Sequence, residues 1–398
     1  MDLTIFPGKL HGCITAIPSK SQAHRLLICA AFSDNDTDIH CHATNQDIQA
    51  TANCLCALGA SIRKTEYGYR VHPVTTPPQA ATLDCGESGS TLRFMLPIVG
   101  ALGVDATFQM HGRLPCRPLS PLWEEMERMG CSLTRPTENT IRCTGKLQPG
   151  RYIIAGNVSS QYISGLLFAT ALLKGESNIE ITGETESQPY IALTQNALSL
   201  FGVSTENYYI AGCYPFKSPR SMSVEGDWSN AAFFLAANAL GSQIEVKGLD
   251  SRSAQGDRAI MQLLGILSKD VTIDAKDIPD LVPILSIVAG NMYGATFENI
   301  GRLRLKESDR VATVANMLKQ LGAATVITEN TLCVKSSDYS GCTIDAAGDH
   351  RIAMSAAIAA TVSNGPITIL GAECVSKSYP SFWDEYKQLG GQYEQHIR

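Results

Sequence analysis

Six times along the chain a polar, often serine-rich start gives way to a run of small apolar residues. The starts lie near Ser21, Ser90, Ser160, Trp228, Leu281 and His350, separated by 69, 70, 68, 53 and 69 residues. Residues 231–237 and 352–358 are apolar nearly all round, which predicts buried helices, not amphipathic surface ones. A short strand is predicted after each, at residues 38–41, 106–109, 178–181, 243–246, 295–297 and 367–370. A second helix then ends in a large apolar residue and glycine, at Leu58-Gly59, Met129-Gly130, Phe201-Gly202, Leu321-Gly322 and Leu389-Gly390. Glycine there suits a left-handed C-terminal cap. In four of these five a strand is expected directly afterwards, and the last runs into the chain end. The fourth unit departs from the rule, since Leu264-Gly265 continues into Ile266-Leu267-Ser268-Lys269.

Six copies of a helix–strand–helix–strand unit define an α/β repeat architecture. The short step between copies four and five, with a composition shift near Lys217-Ser218-Pro219-Arg220, places a domain boundary around residue 225. One domain is expected to hold residues 19–225 with copies one to three. The other holds residues 226–398 with copies four to six and takes residues 1–18, including predicted strands at 3–6 and 13–17, with a crossover near Pro18. Parallel buried helices point their N-termini one way, and each such end favours anions. Two such surfaces facing one another would make an anion-binding cleft.

Composition narrows the function. A chain of 398 residues is too long for one ordinary core. Its net charge of −6 and pI near 5.8 argue against general nucleic-acid binding. The 13 cysteines are scattered, without a Cys-x-x-Cys pair, and read as reduced residues of a cytoplasmic protein. The start Met1-Asp2-Leu3-Thr4 lacks the features of a signal peptide. No apolar run reaches the roughly 18 residues of a membrane span.

The unusual residues gather at the polar starts. Copy one gives Pro18-Ser19-Lys20-Ser21 followed by Arg25, cations at a helix N-terminus where they oppose the macrodipole. Taken alone, that stretch fits a solvated basic turn as well as an anion cradle. Copy two gives Gly86-Glu87-Ser88-Gly89-Ser90-Thr91-Leu92-Arg93, neither a Walker loop nor a dinucleotide fingerprint. Copy three gives Ser159-Ser160-Gln161. Copies four to six give Gly226-Asp227, Ile278-Pro279-Asp280 and Gly348-Asp349-His350-Arg351. Arg117 precedes Pro118, Lys306-Glu307-Ser308-Asp309-Arg310 opens a helix, and Lys377 lies in the last loop. Asp227 reads best as a plain N-cap, a role also open to Asp280. The eight histidines have no metal-ligand spacing, so neither a metal nor a cofactor is expected. Recurrence of cations, carboxylates and serines at one point of a repeat favours a site for several negative charges. Arginine forks suit phosphate and carboxylate oxygens, and Asp280 and Glu307 are carboxylates able to move protons. Phosphate chemistry without an evident magnesium site points to C–O transfer, not phosphoryl transfer.

These motifs together, with Cys116-Arg117-Pro118 and Asp349-His350-Arg351-Ile352-Ala353-Met354, resemble the 5-enolpyruvylshikimate-3-phosphate synthases. The resemblance runs in order from near residue 4 to near residue 385. It implies two inside-out α/β domains of three units each around an interdomain cleft. It also implies transfer of the enolpyruvyl group of phosphoenolpyruvate to the 5-hydroxyl of shikimate 3-phosphate through a tetrahedral intermediate, with phosphate released. On matching positions, Lys20, Ser21, Arg25, Ser159, Ser160, Gln161, Ser187, Asp280 and Lys306 would face shikimate 3-phosphate. Lys20, Gly89, Arg117, Gln161, Arg310, Arg351 and Lys377 would face phosphoenolpyruvate. Asp280 would accept the hydroxyl proton, and Glu307 and Lys20 would exchange protons with the methylene carbon and the departing phosphate. The partners expected are these two small molecules, with no nucleic acid or membrane, and the chain is expected to be a monomer. Closure on substrate would bring Lys20 onto phosphoenolpyruvate.

The sequence departs from the family pattern at Glu87-Ser88, where Asn-Ala is common, and at Phe94, where proline is. It departs again at Gln188, often lysine, and at Arg302, often asparagine. Two rivals are an enolpyruvyl transferase acting on UDP-N-acetylglucosamine and a non-catalytic phosphometabolite-binding protein. The first carries a reactive cysteine a few residues before the arginine matching Arg117, where this chain has Gly112 and Arg113. The second is opposed by the presence of Asp280 and Glu307.

Overall fold

The helices predicted from the apolar runs span Lys20–Ala31, Gly89–Leu102, Ser160–Leu172, Trp228–Ala239, Val282–Asn291 and His350–Ala359. They come from a computed structural model that describes residues 1–212 and 215–396. These six core helices are buried on nearly every side, and the strands lie outside them in six sheets among the described residues. The chain forms two compact units, Pro18–Glu225 and Met1–Ile17 with Gly226–Arg398, each with its own apolar core.

Within the unit Pro18–Glu225, the strand before a core helix pairs in parallel with the strand after it. Ala80–Asp84 pairs with Asp105–Gln109, and Arg151–Ala155 with Ser177–Thr182. In the other unit Thr272–Asp274 pairs with Ala295–Glu298, and Cys342–Asp345 with Ile367–Leu370. The first and fourth copies solve this pairing by exchange. His11–Thr15 leads into the first core helix but pairs with Gln243–Lys247, while Ser221–Ser223 leads into the fourth but pairs with Thr37–His40. The two crossings of the chain, at residues 17–18 and 225–226, are where the leading strands trade partners.

The glycines after the second helices have positive φ, 106° at Gly59 and 98° at Gly322, as left-handed caps require. Two expectations fail. A strand, Tyr393–His396, does follow Gly390, and it pairs antiparallel with Asp2–Ile5, which supplies the partner that the local sequence lacks. After Gly202 there is only a turn, Glu206–Tyr208, and the two-residue strand Tyr209–Ile210. The short step arises because, among the described residues, the fourth copy's second helix, Ile260–Ile266, leads to no hairpin and its sheet has two strands.

Five of the six core helices are capped by a side chain: Ser19, Ser88, Ser159, Asp227 and Asp349 each accept a backbone N–H from the first turn. Asp227 is thus the plain cap expected of it. The fifth helix is the exception, since Leu281 at its cap position makes no such bond. Asp280, just before it, is not an N-cap, because its carboxylate is engaged elsewhere. In the first unit, Gly165 lets the second and third core helices touch. A Cβ there would collide with the Arg93 carbonyl oxygen, and this contact sets Arg93 beside the start of the third helix. No helix among the described residues is long and apolar enough to cross a membrane.

Candidate active site

Each unit carries one cluster of the residues singled out above. In Pro18–Glu225, Lys20 and Ser21 open the first core helix. Lys20 Nζ meets Asp47 Oδ2 at 2.8 Å, from the first turn of the helix Gln46–Ala57. The lysine that opposes its own helix dipole is balanced by an acid 27 residues away. Arg25, one turn on, is buried. Its Nε donates to Thr194 Oγ1 at 2.7 Å, and its terminal nitrogens donate to the carbonyls of Ser21 at 2.6 Å and Tyr190 at 2.8 Å. Burial draws its pKa down to about 10, so it stays charged at neutral pH. Thr194 and Tyr190 belong to the helix Gln188–Leu200, at whose start Ser187 is buried with φ 56° and ψ 39°. A left-handed serine is strained, and such strain collects at functional sites.

The second core helix begins at Gly89. A Cβ there would lie 2.8 Å from a terminal nitrogen of Arg117 and 3.0 Å from one of Arg93. The bare glycine therefore lets two guanidinium groups close over the helix start. Arg93 donates to Gln161 Oε1 at 2.7 Å, and Gln161 Nε2 donates to Ser90 Oγ at 2.8 Å. Ser159 caps the third helix, accepting the Gln161 amide at 3.3 Å, and Ser160 is its first residue.

In the other unit the centre is Arg310, 1% exposed. It donates to three carboxylates: Asp280 Oδ1 at 2.6 Å, Glu307 Oε2 at 2.6 Å and Asp349 Oδ2 at 2.8 Å. Arg351 donates to Asp280 Oδ2 and to the Asp280 carbonyl, both at 3.1 Å, and to Ser229 Oγ at 2.7 Å. Lys306 Nζ lies 3.5 Å from Asp280 Oδ1. Burial favours the neutral form of Asp280, but Arg351, Lys306 and Arg310 together outweigh it and hold the carboxyl well below the usual range. Burial draws the Lys306 ammonium down to about 8, against the pull of Asp280. The helix here starts at Arg310 with Asp309 as cap, so Lys306, Glu307 and Ser308 sit in the loop before it and do not open it. Lys377 ends the turn Ala372–Lys377, and the next residue, Ser378, accepts a 3.4 Å bond from Asn230 of the fourth core helix.

Asp280, Lys306, Glu307, Arg310 and Arg351 thus form one network from three stretches of sequence. Lys20, Ser21 and Arg25 form one face with the helix that starts beyond Ser187, while Gly89, Arg117 and Gln161 gather around Arg93. Sequence reasoning missed Asp47, Thr194, Tyr190 and Ser229, since no spacing links them to their partners. Asp349 stood inside a motif, but nothing local showed that it caps a helix and holds Arg310 at once. Two departures from the family pattern have structural partners. Ser88 caps the second helix and accepts the Thr91 amide at 3.2 Å. Phe94 is buried with the Arg25 guanidinium 5.1 Å from its ring centre, a cation–π support that proline would not give. Arg302, in the turn Gly301–Leu305, is near enough to Lys306 to lower its pKa further.

Buried helices wrapped by sheets in two units, each displaying clustered cations with carboxylates, match the architecture of the enolpyruvyl transferases. An EPSP synthase structure from Acinetobacter baumannii superposes with a TM-score of 0.81 at 23% identity, covering 99% of this chain and 100% of that one. The enolpyruvyl transferase NikO from Streptomyces tendae superposes at 0.78 and 16% identity, covering 100% and 99%. The family model for EPSP synthase (3-phosphoshikimate 1-carboxyvinyltransferase) matches residues 6–273 and 265–386. The 3-phosphoshikimate 1-carboxyvinyltransferase of Clostridium beijerinckii is 38% identical across 99% of this chain and 98% of its own length, and that of Clostridium kluyveri 36% across 99% and 98%. The chain belongs to the EPSP synthase family.

Proposed function

We propose that this transferase moves the enolpyruvyl group of phosphoenolpyruvate onto the 5-hydroxyl of shikimate 3-phosphate and releases phosphate, a step of aromatic amino acid biosynthesis. The observation that carries the reading is the network in which Arg310 holds Asp280 and Glu307 while Arg351 and Lys306 flank Asp280. Two substrates with four anionic groups between them need many cations, and a proton must leave a hydroxyl while another reaches a carbon. Asp280 takes the 5-hydroxyl proton as the oxygen attacks C2 of phosphoenolpyruvate. Glu307 or Lys20 delivers a proton to the methylene carbon, giving the tetrahedral intermediate. Loss of a methyl proton and of phosphate then restores the enol ether. Carboxylates occupy the arginine forks, Asp280 and Glu307 on Arg310 and Asp280 on Arg351. A phosphate or carboxylate that takes over Arg310 and Arg351 would release Asp280 from two of its cations and make it a stronger base.

In this reading Ser21, Arg25, Ser159, Ser160, Gln161, Ser187 and Lys306 hold shikimate 3-phosphate. Gly89, Arg117, Arg310, Arg351 and Lys377 hold phosphoenolpyruvate, with Lys20 and Gln161 serving both. The domains are residues 1–18 with 226–398, and 19–225. In the same reading the chain is a cytoplasmic monomer with reduced cysteines; Cys213, one of them, lies outside the described residues. Phosphate release from phosphoenolpyruvate and shikimate 3-phosphate is the test. No turnover there, with turnover on UDP-N-acetylglucosamine, would move the chain to the rival reaction; no turnover on either would favour a binding protein.

Two further outcomes are expected. Arg25→Ala raises KM for shikimate 3-phosphate roughly 10- to 150-fold, the worth of a hydrogen bond to a charged group, and affects KM for phosphoenolpyruvate much less; an unchanged value removes Arg25 from that pocket. KM for shikimate 3-phosphate also rises as pH passes about 8, where Lys306 loses its proton. Lys306→Arg, charged across the whole range, should flatten that rise in assays from about pH 7 to 9.5.

A further inference from the structure

Asp257 lies in the turn Gly256–Ala259, buried beside the Asp280 network but outside it. Ser229 links the two. Arg351 donates to Ser229 Oγ at 2.7 Å, which leaves the hydroxyl proton of the serine for Asp257, its hydrogen-bond partner. The same Arg351 nitrogen is 3.1 Å from Asp280 Oδ2. A buried carboxylate therefore ends a chain that runs Asp280, Arg351, Ser229, Asp257. The turn is tied to the helix that carries Ser229. Gln255 Oε1 accepts the Trp228 amide at 3.1 Å, and Gln255 Nε2 donates to the Gly226 carbonyl at 2.8 Å. The charged groups that act on Asp257 are Asp280, Arg351 and Asp227. On its own turn Arg258 donates instead to the Ser251 carbonyl, and the helix that follows, Ile260–Ile266, has no ionisable side chain.

We propose that Asp257 is a positioning residue for the acid–base step: through Ser229 it fixes the Arg351 guanidinium, and its negative charge raises the proton affinity of Asp280. The inference rests on the reading of Asp280 as the base. Three cations make Asp280 a weak base, and a second negative charge behind Arg351 offsets part of their pull. Carboxylates coupled in this way titrate in two steps that belong to the pair: Asp280 ionises first, and only once Asp257 is ionised too does its charge add to the proton affinity of Asp280. Burial first, and Asp280 next, push the Asp257 carboxyl up to about 6. At neutral pH it is ionised and the offset is present; as pH falls through about 6 the offset is lost.

The test is the pH dependence of kcat, from about pH 5 to 9, in the wild type and in Asp257→Asn, Ser229→Ala and Asp280→Asn. The wild type should lose kcat below about pH 6. Asp257→Asn should show a kcat about 3- to 10-fold lower, as a shift of up to one pKa unit in the base implies, with the acid limb gone and both KM values nearly unchanged. Ser229→Ala removes a hydrogen bond that lowers the Asp257 pKa, so its limb should move to higher pH. That shift carries the test if Asp257→Asn fails to fold. A wild-type limb in Asp257→Asn, or an unmoved limb in Ser229→Ala with only thermal stability reduced, overturns the proposal. If Asp280→Asn keeps its kcat, the reading of Asp280 as base fails and this inference falls with it. If Asp280→Asn is inactive while the Asp257→Asn limb is unchanged, only the inference falls.

Discussion

Asp280→Asn should lower kcat by roughly 10²- to 10⁴-fold, the contribution of a general base, with KM for phosphoenolpyruvate unchanged or lower. The asymmetry follows from the network. Asp280 is bonded to Arg310 and Arg351, and in the proposed reading its carboxylate competes with substrate anions for them. An asparagine cannot take the hydroxyl proton, but it leaves both guanidinium groups in place and weakens the competition. Loss confined to kcat assigns chemistry to the residue. Equal losses in kcat and in binding would reduce Asp280 to a positioning role. A second readout comes from Lys306, whose pKa is held up by Asp280 against burial. The variant should therefore lose the Lys306 proton below the wild-type value of about 8, moving the alkaline rise of KM to lower pH.

Arg310→Met should be the most destabilising single change in the cluster. Arg310 is fully enclosed and satisfies Asp280, Glu307 and Asp349 at once. Removing one partner of a buried ion pair costs about 3–5 kcal/mol, because the charge left behind is uncompensated. For a unit of this size that is a fall in Tm on the order of 10 °C. Lysine would not rescue it fully, since one ammonium cannot form the three-way fork. The deficit should depend on pH. In the wild type the folded-state pKa values of Asp280 and Asp349 are depressed, so the stability they contribute is present above the ordinary carboxylate pKa of about 4 and is lost as pH falls below it. The gap between wild type and variant should thus be widest near neutral pH and narrow in acid. A Tm within about 2 °C of the wild type at neutral pH would show that the three acids are relieved by other groups.

Most of the architecture was legible because it is periodic. The apolar runs are long, and their polar starts recur at nearly constant steps. Burial on all sides follows from a run with no polar face, and a glycine after a helix follows from the left-handed cap. What failed was non-local. Tyr393–His396 becomes a strand because Asp2–Ile5 offers it an edge, and nothing near residue 390 records that. The trade of leading strands was half legible. The strand at 13–17 is placed with copies four to six by the sequence, and it pairs with Gln243–Lys247 of copy four. The reverse pairing of Ser221–Ser223 with Thr37–His40 is invisible in a pattern that treats each copy alone.

The site divides in the same way. Which residues are candidates could be read from the chain: Lys20, Arg25, Gly89, Arg117, Gln161, Asp280, Lys306, Glu307, Arg310 and Arg351 all stand in the first two turns of helices or in the loops that precede helices, where residue type and spacing are visible. What each is bonded to is visible only once the chain is folded. Lys20 meets Asp47, Phe94 supports Arg25, and Arg310 gathers three acids from separate segments. The protonation of these groups is a tertiary property too, since burial and through-space charge have no signature in spacing. Asp280 shows the division most clearly. Its place before a buried helix allowed an N-cap or an acid–base group, and the choice fell to Arg310, Arg351 and Lys306, which reach its carboxylate across 26 to 71 residues of chain.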